Sequence, residues 1–170
     1  SSKAPSAFTK VDKVPTVFPD YTNITVPCNI APMNFLIDQE ADRYLTVLES
    51  ESGKVSIKGK KVCIPRSKWQ ALTRSPQITV SVYTRNKGQW SAYSPFSINV
   101  SDEIDPFISY RIIMPSVECY ERLSINERDL TSFSEKVIYS NEMVQVTDKG
   151  QCINCHHYRN YGTDNMQFHA

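Results

Sequence analysis

Glycine is scarce in this chain, five in 170 residues. None falls in a G-x-x-x-x-G-K or G-x-G-x-x-G arrangement, so the glycine-rich loops that cradle nucleotide phosphates are excluded. Histidine is absent from the 151 residues ahead of Cys152, which removes most hydrolase arrangements, since a Ser-His-Asp set needs an imidazole near its nucleophile. No stretch approaches the roughly 20 consecutive apolar residues that span a bilayer. Long repeats and low-complexity tracts are missing too. What remains is 40% apolar, 11% aromatic and 22% charged, the profile of a folded chain with room for one ordinary domain or two small ones.

An excess of charge of one sign is also lacking. The formal net charge is +1, which argues against a nucleic-acid partner, because phosphate contacts need a surplus of Lys and Arg on one surface. The balance conceals a split. Residues 1–100 carry 13 Lys and Arg against 7 Asp and Glu, whereas residues 101–170 carry 6 against 11. A boundary near residue 100 follows naturally. Lys54, Lys58, Lys60 and Lys61 are spread through strand-like segments, the pattern of a solvated face.

Residues 1–20, with Pro5, Pro15 and Pro19, read as a lead-in segment. Seven short β-branched or aromatic runs follow: 24–26, 33–37, 43–49, 55–57, 62–64, 78–84 and 96–100, separated by Gly, Pro, Asn or charged turns. Ile78, Val80, Val82 and Thr84 alternate with Thr79, Ser81 and Tyr83, and Asn86-Lys87-Gly88 turns the chain back. With Trp90 and the return through Ser94-Pro95-Phe96, this resembles the last hairpin of fibronectin type III and immunoglobulin-like domains. The expected fold is therefore mainly β: an immunoglobulin-like β-sandwich over 21–100. One helical turn is expected at 67–72, with Ser67 as N-cap. Trp69 and Trp90 read as sandwich core and rim.

Residues 101–170 are expected to form a small, irregular mixed segment. Asp102 to Pro106 reads as a charged linker, Phe107 to Met114 as a strand, Glu118 to Leu130 as irregular or weakly helical, and Val137 to Tyr139 as a short strand. Such a segment is too short to build a large core unaided, so another element would organise it.

That element is legible at the end of the chain. All three histidines and two of the five cysteines lie between residues 152 and 169, as Cys152-Ile-Asn-Cys155-His156-His157 and His169. C-x-x-C-H is the attachment pattern of c-type haem. Two thiols two residues apart add across the vinyl groups of one porphyrin, and the histidine after the second thiol ligates the iron. Cys152 and Cys155 are the expected anchors and His156 the proximal ligand. His169 or Met166 would supply the sixth ligand, His169 being preferred. On an extended strand those two would point to opposite sides. His169 would give a lower potential and Met166 a higher one.

Two other readings stay open. Cys152 and Cys155 with His156 or His157 and His169 form a Cys2His2 set of the kind that zinc holds in a tetrahedral site. The Cys pair alone would serve as a dithiol or a disulfide. Cys28, Cys63 and Cys119 read as small buried apolar residues, a Cys28 to Cys63 bridge being possible. Asp102, Glu103 and Asp105 read as the charges of a linker in preference to a Ca2+ site. The chain starts at Ser1 without a basic or apolar leader and stops at Ala170 in a pattern of ordered structure, as expected for the front of a longer protein.

Several segments together carry a resemblance: Pro19-Asp-Tyr-Thr-Asn-Ile-Thr-Val-Pro-Cys-Asn-Ile-Ala-Pro-Met-Asn-Phe35, Ser94-Pro-Phe96, Ile104-Asp-Pro106, Tyr110-Arg111, Arg128-Asp-Leu130, Cys152-Ile-Asn-Cys-His156 and Met166-Gln-Phe-His169. Across 19–169 the chain resembles the front of secreted Bacteroides-type proteins labelled TolB-like propeller or cytochrome c biosynthesis proteins. The resemblance implies a periplasmic or outer-membrane location, often through an N-terminal lipid anchor. It also implies a β-propeller after Ala170 and a haem motif at Cys152, Cys155 and His156, with Phe168-His169 part of the same pattern. The expected function is an extracytoplasmic haem module for electron transfer or redox sensing, attached to a binding scaffold and working with a redox or protein partner. The alternative is a non-catalytic structural or interaction domain, its Cys pair a disulfide or zinc clip.

Overall fold

The computed structural model describes residues 4–113, 123–143, 152–153, 155–162 and 164–169. The protein is mainly β and sandwich-like, with several sheets and no closed barrel. The chain divides into two compact units, Ser1–Ile104 and Asp105–Ala170. No helix among the described residues is long and apolar enough to cross a membrane.

The first unit holds ten strands and one helix: β1 (Thr9–Val11), β2 (Val17–Phe18), β3 (Thr25–Pro27), β4 (Phe35–Ile37), β5 (Arg43–Ser50), β6 (Gly53–Lys58), β7 (Lys61–Val62), α1 (Arg66–Leu72), β8 (Gln77–Asn86), β9 (Gln89–Tyr93) and β10 (Phe96–Ser101). Strand β8 organises the larger sheet of seven. One of its edges pairs with β5, which pairs with β6; the other pairs with β10 near its start and β9 near its end. Ser94-Pro95 explains that division. Tyr83 pairs with Ala92 but Val80 with Phe96, so the register slips by one residue where proline cannot donate to the ladder. Strands β1 and β3 then join β9 and β10 in parallel. At the other end Lys87 and Gly88 both take positive φ, 48° and 85°, the backbone of a two-residue turn whose twist suits a hairpin.

The smaller sheet is β2-β4-β7. Alternation decides what enters the core: Ile78, Val80 and Val82 of β8, Leu48 of β5, and Phe96 and Ile98 of β10 meet Val17, Phe35, Ile37 and Val62 of the smaller sheet. The rings of Phe35 and Phe96 pack edge to face at 6.4 Å. Helix α1 adds Trp69 and Leu72, and the buried Trp69 Nε1 donates to the Ile30 carbonyl at 2.9 Å.

Two expectations are corrected here. Pro65, not Ser67, stands at the N-cap of α1, since the Pro65 carbonyl already accepts from the Lys68 and Trp69 amides. Cys63 is exposed rather than buried, because it sits between Val62 and Ile64, which point into the core. Cys28 is half-buried and not joined to Cys63. Cys119 lies outside the described residues.

The second unit contains β11 (Phe107–Ile112), β12 (Ser124–Asp129), β13 (Glu135–Ser140), β14 (His156–Tyr158) and β15 (Met166–Phe168). The first three form an antiparallel meander and the last two a hairpin. Residues 124–129 are thus a central strand and not helical; Glu118 to Arg122 and Met114 fall outside the described residues. Asp129 shapes the turn after β12, accepting from the Thr131 amide and hydroxyl and from the Ser132 hydroxyl. The core here is small. Leu123, Ile125 and Ile153 are buried, with Ile138, Tyr139, Met166 and Phe168 packed on them.

Candidate functional site

The Cys-His segment is built on the β14–β15 hairpin and on one apolar peg. Ile153, between the two cysteines, is fully buried against Ile125 and Leu123, and its carbonyl accepts from Arg111 Nη1 at 3.2 Å. Both flanking residues, Cys152 and Cys155, are exposed and are not joined to each other. Burying the residue between them leaves the two thiols outside.

Register then sorts the remaining side chains by face. His156 stands opposite Phe168, His157 opposite Gln167 and Tyr158 opposite Met166. The ladder continues at both ends: the His169 amide donates to the Cys155 carbonyl at 3.2 Å and the Arg159 amide to the Asn165 carbonyl at 2.9 Å. Because side chains alternate along a strand, His156, Tyr158, Met166 and Phe168 share one face. That face turns toward the core, all four being half-buried, and Phe168 lies 4.9 Å from Tyr139 ring to ring. Cys155, His157, Gln167 and His169 share the other face, where all four are exposed. Between the strands Asn160 takes positive φ, 51°, and the Gly162 amide returns to the Arg159 carbonyl at 3.0 Å.

The donor set meets the first demands of c-type haem: two accessible thiols flanking a fixed peg, and an imidazole directly after the second. The hairpin brings together neither pair of axial ligands expected from the sequence. His156 and His169 lie on opposite faces, and Met166 stands beside His156 on the same face, diagonal to it, where a porphyrin ring cannot be inserted between them. For the Cys2His2 alternative, no group of three His, Cys, Asp or Glu side chains among the described residues converges closely enough to hold a metal. A cleft of about 600 Å3 adjoins His157 and Tyr158, walled by Phe107, Asp105 and Glu127. Glu127 is ion-paired with Lys136 at 2.6 Å.

Sequence reasoning did not identify Ile153, Tyr158 and Phe168 as the residues that seat the hairpin. The alternation of His157-Tyr158 and Gln167-Phe168 was available as a signal, but three-residue strands are too short for it to stand out. Comparison with family models, with curated proteins and with solved structures returns no match to this chain.

Proposed function

We propose that the chain is an extracytoplasmic module that takes c-type haem at Cys152 and Cys155, with His156 as proximal ligand, and that it serves electron transfer or redox sensing. The observation that carries this reading is the C-x-x-C-H run with both thiols exposed on either side of the buried Ile153. Bound there, the group would supply one-electron chemistry. The chain's own part is to present the thiols and to hold His156 beside the aromatic face of Tyr158 and Phe168; with the hairpin in this register neither His169 nor Met166 faces His156, so either could fill the sixth position only after the hairpin rearranges. An extracytoplasmic location goes with this, since covalent attachment needs machinery outside the cytoplasm. The resemblance to secreted propeller proteins points the same way, with a lipid anchor and a propeller in the same polypeptide.

The test is spectroscopic. Made in a host able to attach haem, the protein is expected to show a Soret band that survives denaturation and is lost when Cys152 and Cys155 are both replaced by Ser. His156→Ala should keep the covalent band but change the iron spin state. A colourless product with free thiols from such a host overturns the reading.

A second reading starts from one observation, the shared exposed face of Cys155, His157 and His169. With Cys152 they would be drawn together by zinc, as a structural or interaction clip, only if the segment closes from its present spacing. Stoichiometric zinc lost on His157→Ala but kept on His156→Ala would select it.

A further inference from the structure

The fold assembles a second site on the first unit, remote in sequence from the cysteines. Arg43 of β5 stands directly opposite Arg85 of β8, and Arg85 directly opposite Trp90 of β9. The three side chains thus form one row on one face of the larger sheet. Two residues along the same face comes Leu45, whose cross-strand neighbour on β6 is Lys58. Arg43, Leu45, Lys58 and Trp90 line a cleft of about 530 Å3 together with Asp42 and Tyr44; Arg85 does not line it and packs on Trp90 beside it. Of the lysines that read as a scattered solvated face, Lys58 is here brought beside Arg43.

Like charges directly opposite on a sheet are destabilising, and among the described residues neither arginine is in an ion pair. The ion pairs among the described residues are Lys54–Glu49, Lys60–Glu40 and Lys136–Glu127. Arg85 donates from Nε to the Gly88 carbonyl at 3.1 Å and rests its guanidinium 5.9 Å from the centre of the Trp90 ring. Arg43 and Lys58 are in no ion pair among the described residues. Asp42, the one acidic side chain at the rim, already accepts from the Lys87 amide at 2.9 Å through Oδ2.

A volume of this size falls in the range of small-ligand sites, roughly 300–1,000 Å3. The Arg43 fork matches a carboxylate, an indole wall matches the apolar face of a sugar ring, and Asp42 Oδ1 is an acceptor for ring hydroxyls. That same carboxylate disfavours a phosphate dianion. A polynucleotide is also a poor fit, because residues 1–104 carry thirteen Lys and Arg against nine Asp and Glu, with no long basic track. We propose that this cleft binds an acidic sugar: a hexuronate unit with its carboxylate on Arg43, Lys58 beside it and its ring against Trp90. The site is independent of any group at the cysteines.

Trigalacturonate titrated into the full chain at low salt is the probe, read by calorimetry and by tryptophan emission. Trp69 is fully buried, so a change in emission reports Trp90, and Trp90→Phe should abolish it. Saturable binding is expected. Arg43→Gln should weaken it roughly tenfold or more, and Lys58→Gln by about threefold. Arg43→Gln is also expected to leave the ligand-free protein as stable or more stable, since it relieves the opposed charges; this separates a ligand site from a structural role. No saturation up to about 10 mM, an equal response to maltotriose, binding of AMP in its place, or affinity unchanged in Arg43→Gln would each overturn the proposal.

Discussion

The two units of this chain reach a β fold by different means. In the first, fourteen buried apolar side chains among the described residues join two sheets and a helix into one core. In the second, three buried apolar side chains among the described residues hold a meander and a hairpin, Ile153 among them between the cysteines. Hydrophobic stabilisation grows with the area removed from water, so the described core of the first unit contributes far more than that of the second, whose few described core residues are the kind of core that a staple supports. The C-x-x-C-H segment lies in the unit with the smaller described core. Elements that bind or rearrange are drawn from the low-stability end of a structure, and a group gripping Cys152, Cys155 and His156 would add what this core lacks.

The sharpest way to break that contrast is to damage each core once. Trp69→Ala removes the largest fully buried side chain together with its bond to the Ile30 carbonyl, and should destabilise the first unit by about 3–5 kcal/mol. Ile153→Ala should cost about 2–4 kcal/mol, a smaller loss with a larger consequence, because the unit it belongs to has less to lose. In urea titrations followed by amide exchange, the Ile153→Ala protein is expected to lose protection at the His169 amide while Val80 and Val82 stay protected. Equal loss in β8 would show that the two cores are not separate.

How much of this was readable beforehand follows the same divide. Strand β8 announces itself because ten residues alternate cleanly and Lys87-Gly88 closes its turn. Strand β12 does not: Asn126, Glu127, Arg128 and Asp129 look like loop, yet they are half-buried or buried in the middle of a sheet whose faces are partly solvated. Strands β1 and β2 were hidden in the proline-rich lead-in, where two or three residues cannot show a period. At the site, the C-x-x-C-H spacing is local and was visible. The faces of the hairpin were not, because they depend on Tyr158 meeting Met166 across the intervening turn, and register is a non-local property. For the same reason the pairing of Arg43 with Arg85, 42 positions apart, leaves no trace in the sequence.

A smaller effect sharpens the comparison through pH. In the second unit the Glu135 carboxylate accepts from the Tyr110 hydroxyl and from the Asn126 amide, with Arg128 nearby. The Tyr110 hydrogen bond, then that from Asn126, holds Glu135 below its ordinary pKa, and the bond to Glu135 holds the Tyr110 phenol above its own. The carboxylate's contribution to stability is therefore present above the unfolded glutamate value and is lost as pH falls through the depressed folded one. The phenol's contribution is present below the unfolded tyrosine value and is lost as pH rises through the raised folded one. The second unit should accordingly show a stability plateau between the carboxylate and phenol ranges, with a limb at each end. Glu135→Gln should flatten both limbs in thermal melts across pH. Limbs that persist unchanged would assign the pH response to other groups.

The smallest effect expected lies on the first unit. Lys54 and Glu49 are 2.7 Å apart, with more than half of each side chain in solvent, and they stand directly opposite on β5 and β6. A pair so exposed gains little, because water screens the attraction and holding two long side chains costs entropy. Lys54→Gln should change unfolding free energy by less than about 0.5 kcal/mol. Set beside Trp69→Ala, that difference is the measure of where the first unit's stability resides. A loss above about 1 kcal/mol would mean that surface charge, and not the joined sheets, holds this unit together, and the contrast with the second unit would then need another cause.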